Sequence, residues 1–407
     1  MMLAKMAWRN LWRNKRRTLL TVSSIAFAVF IAVVMRGFQL GSYETMIEGT
    51  LKATTGHIQL QHTKWWNDKS IEHIFDYTPE LVRIIKEEPN VINSYPRFQN
   101  FALASNGPHT KGVPVFGIEP ENEKKATGIE KVLIKGEYLK EVDHGVLISV
   151  DLAKYLQADV GDSIVLFGQG YHGITAVGKY PVVGIFDYSF SAVGNAVVYM
   201  NLNEAQLLYG AEGKITTLSI ALSNNDFTQS TQKSLNSKLN NSEIAVVNWE
   251  KLNEKLIQSI QLDNVSGQIM IGVLYMIIAF GIFGTLLMMA AERKREFSVM
   301  NSIGMRRSAI IKIVFFETVW LALVAVFVGM VISIPVNVYF YFNPIHFAGE
   351  AADMFAEFNI EPVMRMSTNP SYIYWQAIIV LIICVASLVA PINLIKKLNV
   401  VDSLRGR

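Results

Sequence analysis

The sequence predicts a membrane protein with four transmembrane α-helices and a large α+β extracytoplasmic domain between spans one and two. Of the 407 residues, 51% are hydrophobic and only 17% are charged, whereas soluble domains carry about 25% charged residues. The charges are almost absent from four long segments, and the rest of the chain has the composition of a soluble protein. Lys and Arg residues cluster beside these segments in a pattern that indicates their orientation.

Four segments approach or exceed the roughly 20 apolar residues that a helix needs to cross a bilayer. They begin at Thr18, Gln268, Ile313 and Tyr372. The first is predicted to be an uncleaved anchor, because its apolar run exceeds the roughly 7–15 residues usual in a signal peptide. The third is interrupted only by Glu317. This carboxylate is either an interfacial side chain close to Lys312 or a functional group facing the protein interior.

Basic residues indicate that both termini lie in the cytoplasm. Lys and Arg are retained on the cytoplasmic side of membrane proteins. They precede the first span, lie between the second and third, and follow the fourth; the residues are Lys5, Arg9, Arg13, Lys15, Arg16, Arg17, Arg293, Lys294, Arg295, Arg306, Arg307, Lys312, Lys396, Lys397, Arg405 and Arg407. We therefore predict a multi-pass protein whose long insert lies outside the cytoplasm.

These features divide the chain into nine predicted segments. In order they are a cytoplasmic amphipathic entry helix (1–17), span one (18–40), the extracytoplasmic domain (41–264), span two (265–291), a cytoplasmic helix (292–311), span three (312–342), an outer loop (343–370), span four (371–395) and a cytoplasmic tail (396–407). In the entry helix, Trp8 and Trp12 are four residues apart among basic residues, which is typical of a helix at the membrane surface.

The insert alternates between patterns typical of strands and of helices. Predicted strands cover 57–61, 112–118, 145–148, 163–167, 180–185, 195–200 and 216–221, and predicted helices cover 78–88, 150–156, 203–208, 229–239 and 249–265. The Thr78-Pro79 pair suits a helix N-terminus. The glycine-rich stretch from Gly168 to Gly173 is predicted to be a tight hairpin.

Several classes of site have no support in the sequence. The net charge of +3 is too small to indicate nucleic-acid binding. The single cysteine, Cys384, excludes an intrachain disulfide. The histidines lack metal-site spacing, and no GxxxxGK[ST] sequence is present. We predict no catalytic, metal or cofactor site in this chain.

The segment from Glu292 to Ile311 contains Phe297, Met300 and Ile303 at three-residue intervals among charged residues. This pattern predicts an amphipathic helix that Gly304 ends. Two interpretations are open on the pattern alone. The helix either lies on the membrane surface or inserts into a groove on a cytoplasmic partner.

Three spaced motifs resemble those of FtsX-type ABC transporter permeases. The first is Ala7-Trp8-Arg9-Asn10-Leu11 with Arg16-Arg17-Thr18-Leu19-Leu20, which resembles the family's entry helix. The second is Glu292-Arg293-Lys294-Arg295-Glu296 followed by Ser302-Ile303-Gly304-Met305-Arg306-Arg307. The third is Ala386-Ser387 and Ala390-Pro391 with Asp402-Ser403-Leu404-Arg405. In the insert, 55–60, 160–163 and 182–186 resemble the outer core domain of MacB and of the LolC/LolE lipoprotein-release subunits.

The resemblance implies a non-catalytic permease subunit in a bacterial inner membrane. It implies a separate ABC ATPase that holds ATP and Mg²⁺, a second permease chain in a homo- or heterodimer, and a lipoprotein or similar amphiphile as substrate. A periplasmic chaperone is a further possible partner, although the 168–173 stretch is shorter than the LolC hairpin loop. The segment from Glu292 to Arg307 is implied to dock on the ATPase, with Glu296 as its main residue; the implied set is Glu292, Arg293, Glu296, Phe297, Met300, Ile303, Gly304 and Arg306.

A substrate path is predicted at the outer ends of spans one and two, which flank the extracytoplasmic domain in sequence. Its predicted lining is Val34, Phe38, Leu40, Ile269, Ile271 and Leu274. The alternative is that these side chains simply face lipid. Two other functions stay open: a MacB-like exporter, and an FtsX-like regulator that transmits the state of the ATPase to a periplasmic hydrolase.

Overall fold

A computed structural model of the chain describes residues 2–13, 15–51, 55–141, 144–187, 196–239, 242–347, 349, 363–367 and 369–397. The chain forms two compact units. The first, here the membrane unit, comprises Met1–Thr45, Ser259–Phe347 and Val363–Arg407. The second, here the α+β unit, consists mainly of Met46–Gln258.

The α-helices of the described residues are α1 (Met2–Arg13), α2 (Lys15–Thr50), α3 (Pro79–Lys86), α4 (Pro120–Thr127), α5 (Val150–Leu156), α6 (Leu202–Tyr209), α7 (Thr228–Leu239), α8 (Trp249–Leu252), α9 (Glu254–Glu292), α10 (Lys294–Ser302), α11 (Arg307–Phe342), α12 (Ser371–Ala386) and α13 (Val389–Lys396). The strands are β1 (Ile58–His62), β2 (Phe75–Asp76), β3 (Val91–Asn106), β4 (His109–Ile118), β5 (Leu133–Gly136), β6 (Val146–Ser149), β7 (Ser163–Gln169), β8 (Thr175–Phe186), β9 (Val198–Asn201), β10 (Lys214–Ile215), β11 (Thr217–Leu222), β12 (Ile244–Asn248), β13 (Ile345–His346) and β14 (Val363–Met364).

Four helical segments of the described chain are long and apolar enough to cross a membrane. They are Thr18–Thr50, Glu254–Glu292, Arg307–Phe342 and Ser371–Lys396. α2, α11 and α12 contribute most of the apolar core that holds the membrane unit together; its buried members include Ile25, Val29, Val33, Leu321, Ala325, Val380 and Cys384. α2 and α9 continue without a break past the predicted ends of their spans, at Leu40 and Val265.

A glycine in α2 allows the chain before α12 to approach the helix closely. A Cβ atom at Gly41 would lie 2.0 Å from the carbonyl oxygen of Arg365. One turn earlier, the amide of Ser367 donates a hydrogen bond to the Gly37 carbonyl at 3.0 Å. A larger residue at position 41 would therefore displace this segment from α2.

The α+β unit is built on one mixed sheet with the strand order β12-β1-β11-β3-β4-β9-β6-β8-β5. β7 lies off this path and pairs with β3 and β8. Most neighbours are antiparallel, but β4 pairs with β9, and β6 with β8, in parallel. Strand β3 spans 16 residues and pairs with β4, β7 and β11, so it organises the sheet.

Both faces of this sheet bury apolar side chains, because alternate residues of a strand point to opposite faces. Val146 and Ile148 of β6 belong to the larger cluster, which also receives residues of α3, α5, α6 and α7. Leu147, between them in sequence, belongs to the smaller cluster on the other face. Phe116 and Tyr199 stack in that smaller cluster with ring centroids 5.3 Å apart.

One ion pair is buried in the α+β unit. Arg97 of β3 donates two hydrogen bonds to the Glu123 carboxylate of α4, at 3.0 and 2.6 Å. Their side chains are only 7% and 1% exposed. Bidentate pairing is required here, since an isolated charge in such a position is strongly destabilising.

The described structure has the four apolar helices and the α+β unit of the predicted fold class, and the residues of the α+β unit lie between the first two of these helices in chain order. Every predicted strand overlaps an observed one, although residue 195 lies outside the described residues. β7 and β8 form the predicted hairpin, with Gln169 opposite Thr175. Thr78 caps α3 by accepting the Leu81 amide, and Pro79 occupies its first turn. The closing-motif residues 402–405 lie outside the described residues.

Candidate functional site

α10 has a sharp, well-defined end at Gly304. The Gly304 amide donates to the Asn301 carbonyl at 3.1 Å, and the Met305 amide donates to the Met300 carbonyl at 3.0 Å. This pair of bonds is the Schellman motif, which requires a left-handed residue after the helix. Gly304 has φ +102°, a conformation that a side chain disfavours. The predicted role of Gly304 as the helix terminator is thus explained.

The predicted apolar stripe of α10 does not face one way. Phe297 is 1% exposed and packs in a cluster with Ile310 and Val314 of α11. Met300 is partly buried against the same cluster, whereas Ile303 is 82% exposed. Phe297 and Met300 therefore attach α10 to the membrane unit, and only Ile303 of the three is available to a partner.

The exposed side of α10 is formed by Val299 and Ile303, which are four residues apart and so share one helix face. Ser302 is exposed beside them, and Arg295 and Arg306 are exposed at either end. We call Arg295, Val299, Ser302, Ile303 and Arg306 the outer face of α10. Val299 is not part of the apolar stripe predicted from the sequence, although it lies four residues from both Arg295 and Ile303 and so shares a helix face with them.

Charged side chains from three helices meet beside α10. The Arg293 Nη1 atom donates to both Glu317 carboxylate oxygens of α11, at 2.8 and 2.6 Å. Its Nε atom donates to Glu296 Oε2 at 3.0 Å. Glu296 also accepts a hydrogen bond from Arg13 of α1. We call Arg13, Arg293, Glu296 and Glu317 the ionic junction.

The ionic junction decides between the two interpretations of Glu317. Its side chain is 5% exposed and pairs with Arg293, whose side chain is 14% exposed. A carboxylate held in this way faces the protein interior, so the interfacial interpretation with Lys312 is wrong. Burial lowers the pKa of the Arg293 guanidinium, but the two neighbouring carboxylates outweigh this effect and raise the pKa above its ordinary value. Arg293 therefore stays charged.

This arrangement can transmit a displacement. α10 is joined to α11 by the Phe297 cluster and by the Arg293–Glu317 pair, and it is joined to α1 through Glu296 and Arg13. Two buried opposite charges resist separation, because an unpaired charge would be left in an apolar environment. A force applied to the outer face of α10 would therefore move α11 with it, whereas the exposed Arg13–Glu296 pair links α10 to α1 only weakly. Glu292 is exposed at the end of α9, one residue before the junction.

The predicted substrate-path residues do not form one open surface. Ile269 is 65% exposed, but Ile271 is 6% exposed and faces the interior of the membrane unit. Phe38 packs against Phe340 of α11, with ring centroids 5.5 Å apart. Val34, Leu40 and Leu274 are half-buried.

Gln39 and Tyr43 of α2 and Asp263 of α9 form a polar clasp that joins the two helices near the predicted path residues Phe38 and Leu40. Tyr43 donates to the Asp263 carboxylate at 2.5 Å, and the Gln39 amide donates to the Asp263 carbonyl at 3.2 Å. Arg36 in turn donates to Gln39 at 2.7 Å. A Cβ atom at Gly267 would collide with Gln39, so that glycine permits the close contact. The clasp holds α2 and α9 together in the region where the sequence predicts the path.

Family models match almost the whole chain. The MacB-like periplasmic core domain matches residues 18–238, which is more than half of the chain. The FtsX-like permease C-terminal region matches residues 268–400, including α10 and the ionic junction. The chain therefore belongs to the family of ABC transporter permeases that have a MacB-like periplasmic core domain and an FtsX-like C-terminal region. The resemblance proposed from the three sequence motifs is thereby confirmed.

Curated relatives of this permease align with most of its length but share little of its sequence. The lipoprotein-releasing system transmembrane protein LolC of Neisseria meningitidis is 22% identical over 309 residues, covering 73% of this chain and 71% of the relative. An uncharacterised ABC transporter permease of Methanocaldococcus jannaschii is 21% identical over 340 residues, covering 81% and 82%. The periplasmic region of MacB from Actinobacillus actinomycetemcomitans aligns with a TM-score of 0.38 and 12% identity, covering 52% of this chain and 97% of that structure.

Proposed function

We propose that this permease couples ATP hydrolysis by a separate ATPase subunit to the extraction of lipoproteins or similar amphiphiles from the outer leaflet of the bacterial inner membrane. ATP and Mg²⁺ are held by the ATPase, and this chain is not a catalyst. The observation that carries the coupling proposal is the construction of α10. Its inner side is fixed to the membrane unit by Phe297 and Arg293, while Val299 and Ile303 face outward.

The lipoprotein substrate is proposed from the LolC and LolE relatives, supported by two features of the chain. First, α2 and α9 are each one unbroken helix that includes an apolar span and residues of the α+β unit, so both are stiff enough to carry movement along their length. Second, the clasp of Gln39, Tyr43 and Asp263 closes α2 against α9. Separating α2 from α9 at the clasp would open a lateral path for acyl chains.

The proposed orientation places α10 and both termini in the cytoplasm. A cysteine at Asn67, which is exposed in the α+β unit, should react with a membrane-impermeant thiol reagent in intact spheroplasts. A cysteine at Ser302, which is exposed after α10, should react only after permeabilisation. Both substitutions are made with Cys384→Ala, which removes the buried native thiol. Labelling of Ser302→Cys alone in intact spheroplasts would show that the orientation is the reverse of the one proposed.

A second permease chain is proposed to cover α9. The most apolar part of this helix is only 17% buried within the chain, against 33–39% for the other three spans. Its exposed side chains include Met270, Val273, Ile277 and Phe280. Such a face suits helix packing with a second span as well as contact with lipid. The family assembles as dimers in general, and this face is the proposed place of assembly.

Photocrosslinking tests the substrate. Benzoylphenylalanine replaces Ile269, which is exposed, or Phe38, near the outer end of the predicted span one; Ile271 is unsuitable because it is buried. We expect both probes to capture an acylated protein, and ATP with an active ATPase to reduce the yield. The matched control is the same probe at Ile332 of α11, an equally apolar position that is 51% exposed. Capture of phospholipid alone at Ile269 and Phe38, while transport is active, would refute the lipoprotein substrate and favour an exporter or a regulator.

A further inference from the structure

An apolar hollow lies between α11 and α12, and its lining includes no residue of the ionic junction or of the clasp. Its volume is about 520 Å³, and Trp8, Trp320, Phe327, Met330, Tyr374 and Ile378 are among its lining residues. This volume is within the range of about 300–1,000 Å³ that is typical of small-molecule sites. The lining is almost wholly apolar, so the hollow suits a hydrocarbon chain.

The length of the hollow matches one acyl chain. Its lining along α11 runs from Trp320 to Met330, ten residues of helix. At the rise of an α-helix this is about 15 Å. The bilayer core is about 30 Å thick, so the hollow extends through about one leaflet.

A second hollow of about 360 Å³ adjoins the first, and a lysine side chain is among its lining residues. It is lined by Ala4, Lys5, Trp8 and Trp320. Trp8 and Trp320 line both hollows, with ring centroids 5.4 Å apart. Indole rings favour the boundary between hydrocarbon and headgroups. The two rings therefore mark the level at which an apolar chain would give way to a polar head.

The charge of the residues around the second hollow indicates that the polar head is anionic. Lys5 lines the second hollow, and no acidic residue occurs in α1 or among the described residues that line this hollow. Arg9 is exposed one turn further along α1. Basic pockets at the ends of membrane helices bind anionic lipid headgroups.

We propose that these two hollows form a binding site for one anionic glycerophospholipid. Its phosphate lies at Lys5, its glycerol backbone lies beside Trp8 and Trp320, and one acyl chain lies between α11 and α12. The lipid belongs to the leaflet that faces the N-terminal helix, which is the cytoplasmic leaflet in the proposed orientation. Bound there, it attaches α1 to α11, the two helices that also meet at the ionic junction. The site is distinct from the substrate path, and it does not depend on what is transported.

Native mass spectrometry of the delipidated full-length permease tests the site. The protein is titrated with dioleoyl phosphatidylglycerol or, separately, with dioleoyl phosphatidylcholine. We expect the first phosphatidylglycerol molecule to bind at least about fivefold more tightly than the first phosphatidylcholine molecule. This is the preference that one lysine near the membrane surface provides. Lys5→Gln should remove this preference, and Leu323→Trp, which fills the hollow between α11 and α12, should weaken binding of both lipids.

The matched control is Lys312→Gln, because Lys312 is also a basic residue of the membrane unit but lines neither hollow. It should keep the full preference. Equal binding of the two lipids by the unmodified chain would overturn the proposal. So would an unchanged preference in Lys5→Gln, or equal losses in Lys5→Gln and Lys312→Gln. Lys5 is exposed, so its replacement is compatible with folding, and an unchanged unfolding temperature confirms that each variant is intact.

Discussion

Glu317→Leu is expected to destabilise the membrane unit by about 3–5 kcal/mol, because the substitution leaves the buried Arg293 guanidinium without its main partner. The double variant Arg293→Met/Glu317→Leu should recover most of this loss, since apolar residues of similar size replace a buried ion pair at little net cost. The unfolding temperature of the purified permease, followed by intrinsic fluorescence, measures both effects.

The same two variants separate a structural role of the ionic junction from a role in coupling. If the junction transmits movement from α10 to α11, the double variant regains stability but not substrate-stimulated ATP hydrolysis by the partner ATPase. Recovery of both would show that the junction only stabilises the fold. The control is Glu137→Leu, which removes an exposed partner of Lys140 in the α+β unit and should change neither property. An unchanged unfolding temperature in Glu317→Leu would contradict the buried pair itself.

Local patterns predicted most of the elements, because apolar runs and alternation depend on near neighbours in sequence. The main omission is β3, although it pairs with three strands. Its residues 91–100 include Asn93, Pro96 and Asn100, which weaken a strand pattern. β3 is stabilised by partners far away in sequence, and by the Arg97–Glu123 pair, which spans 26 residues. Such contacts are not visible in a window of a single strand.

In the candidate site, too, local features were predicted from the sequence and contacts between distant residues were not. The sequence predicted an amphipathic helix ended by Gly304, and both features are local. It did not predict which apolar side of the helix is buried, because that depends on α11 and on Leu388 and Ile395 near the end of the chain. Glu317 is 24 residues from Arg293, so their pairing required the fold. The family resemblance supplied the location of the site but not the orientation of its side chains.

Ile303→Asp is expected to weaken ATPase binding and Phe297→Ala to lower stability, although both positions belong to the predicted apolar stripe. Phe297 is a core residue, so its truncation should cost about 3–5 kcal/mol of stability and lower the unfolding temperature of the permease. Ile303 is exposed, so Asp there should leave the unfolding temperature unchanged. If Ile303 inserts into the ATPase, burial of its side chain contributes about 1.5–3 kcal/mol, and its loss should weaken co-purification of the ATPase at least about tenfold.

Val299→Asp should resemble Ile303→Asp, because Val299 shares the outer face of α10. Ile134→Asp is the matched control: it places an acid at an apolar residue of the α+β unit that is 53% exposed, and it should leave both stability and ATPase association intact. The decisive measurement is the amount of ATPase retained by each variant at equal permease concentration. Full retention by both Val299→Asp and Ile303→Asp would remove the outer face of α10 from the interface and leave α10 as a helix on the membrane surface. Loss of the ATPase in Phe297→Ala alone would indicate that association depends on the stability of the α10–α11 contact and not on a docked apolar side chain.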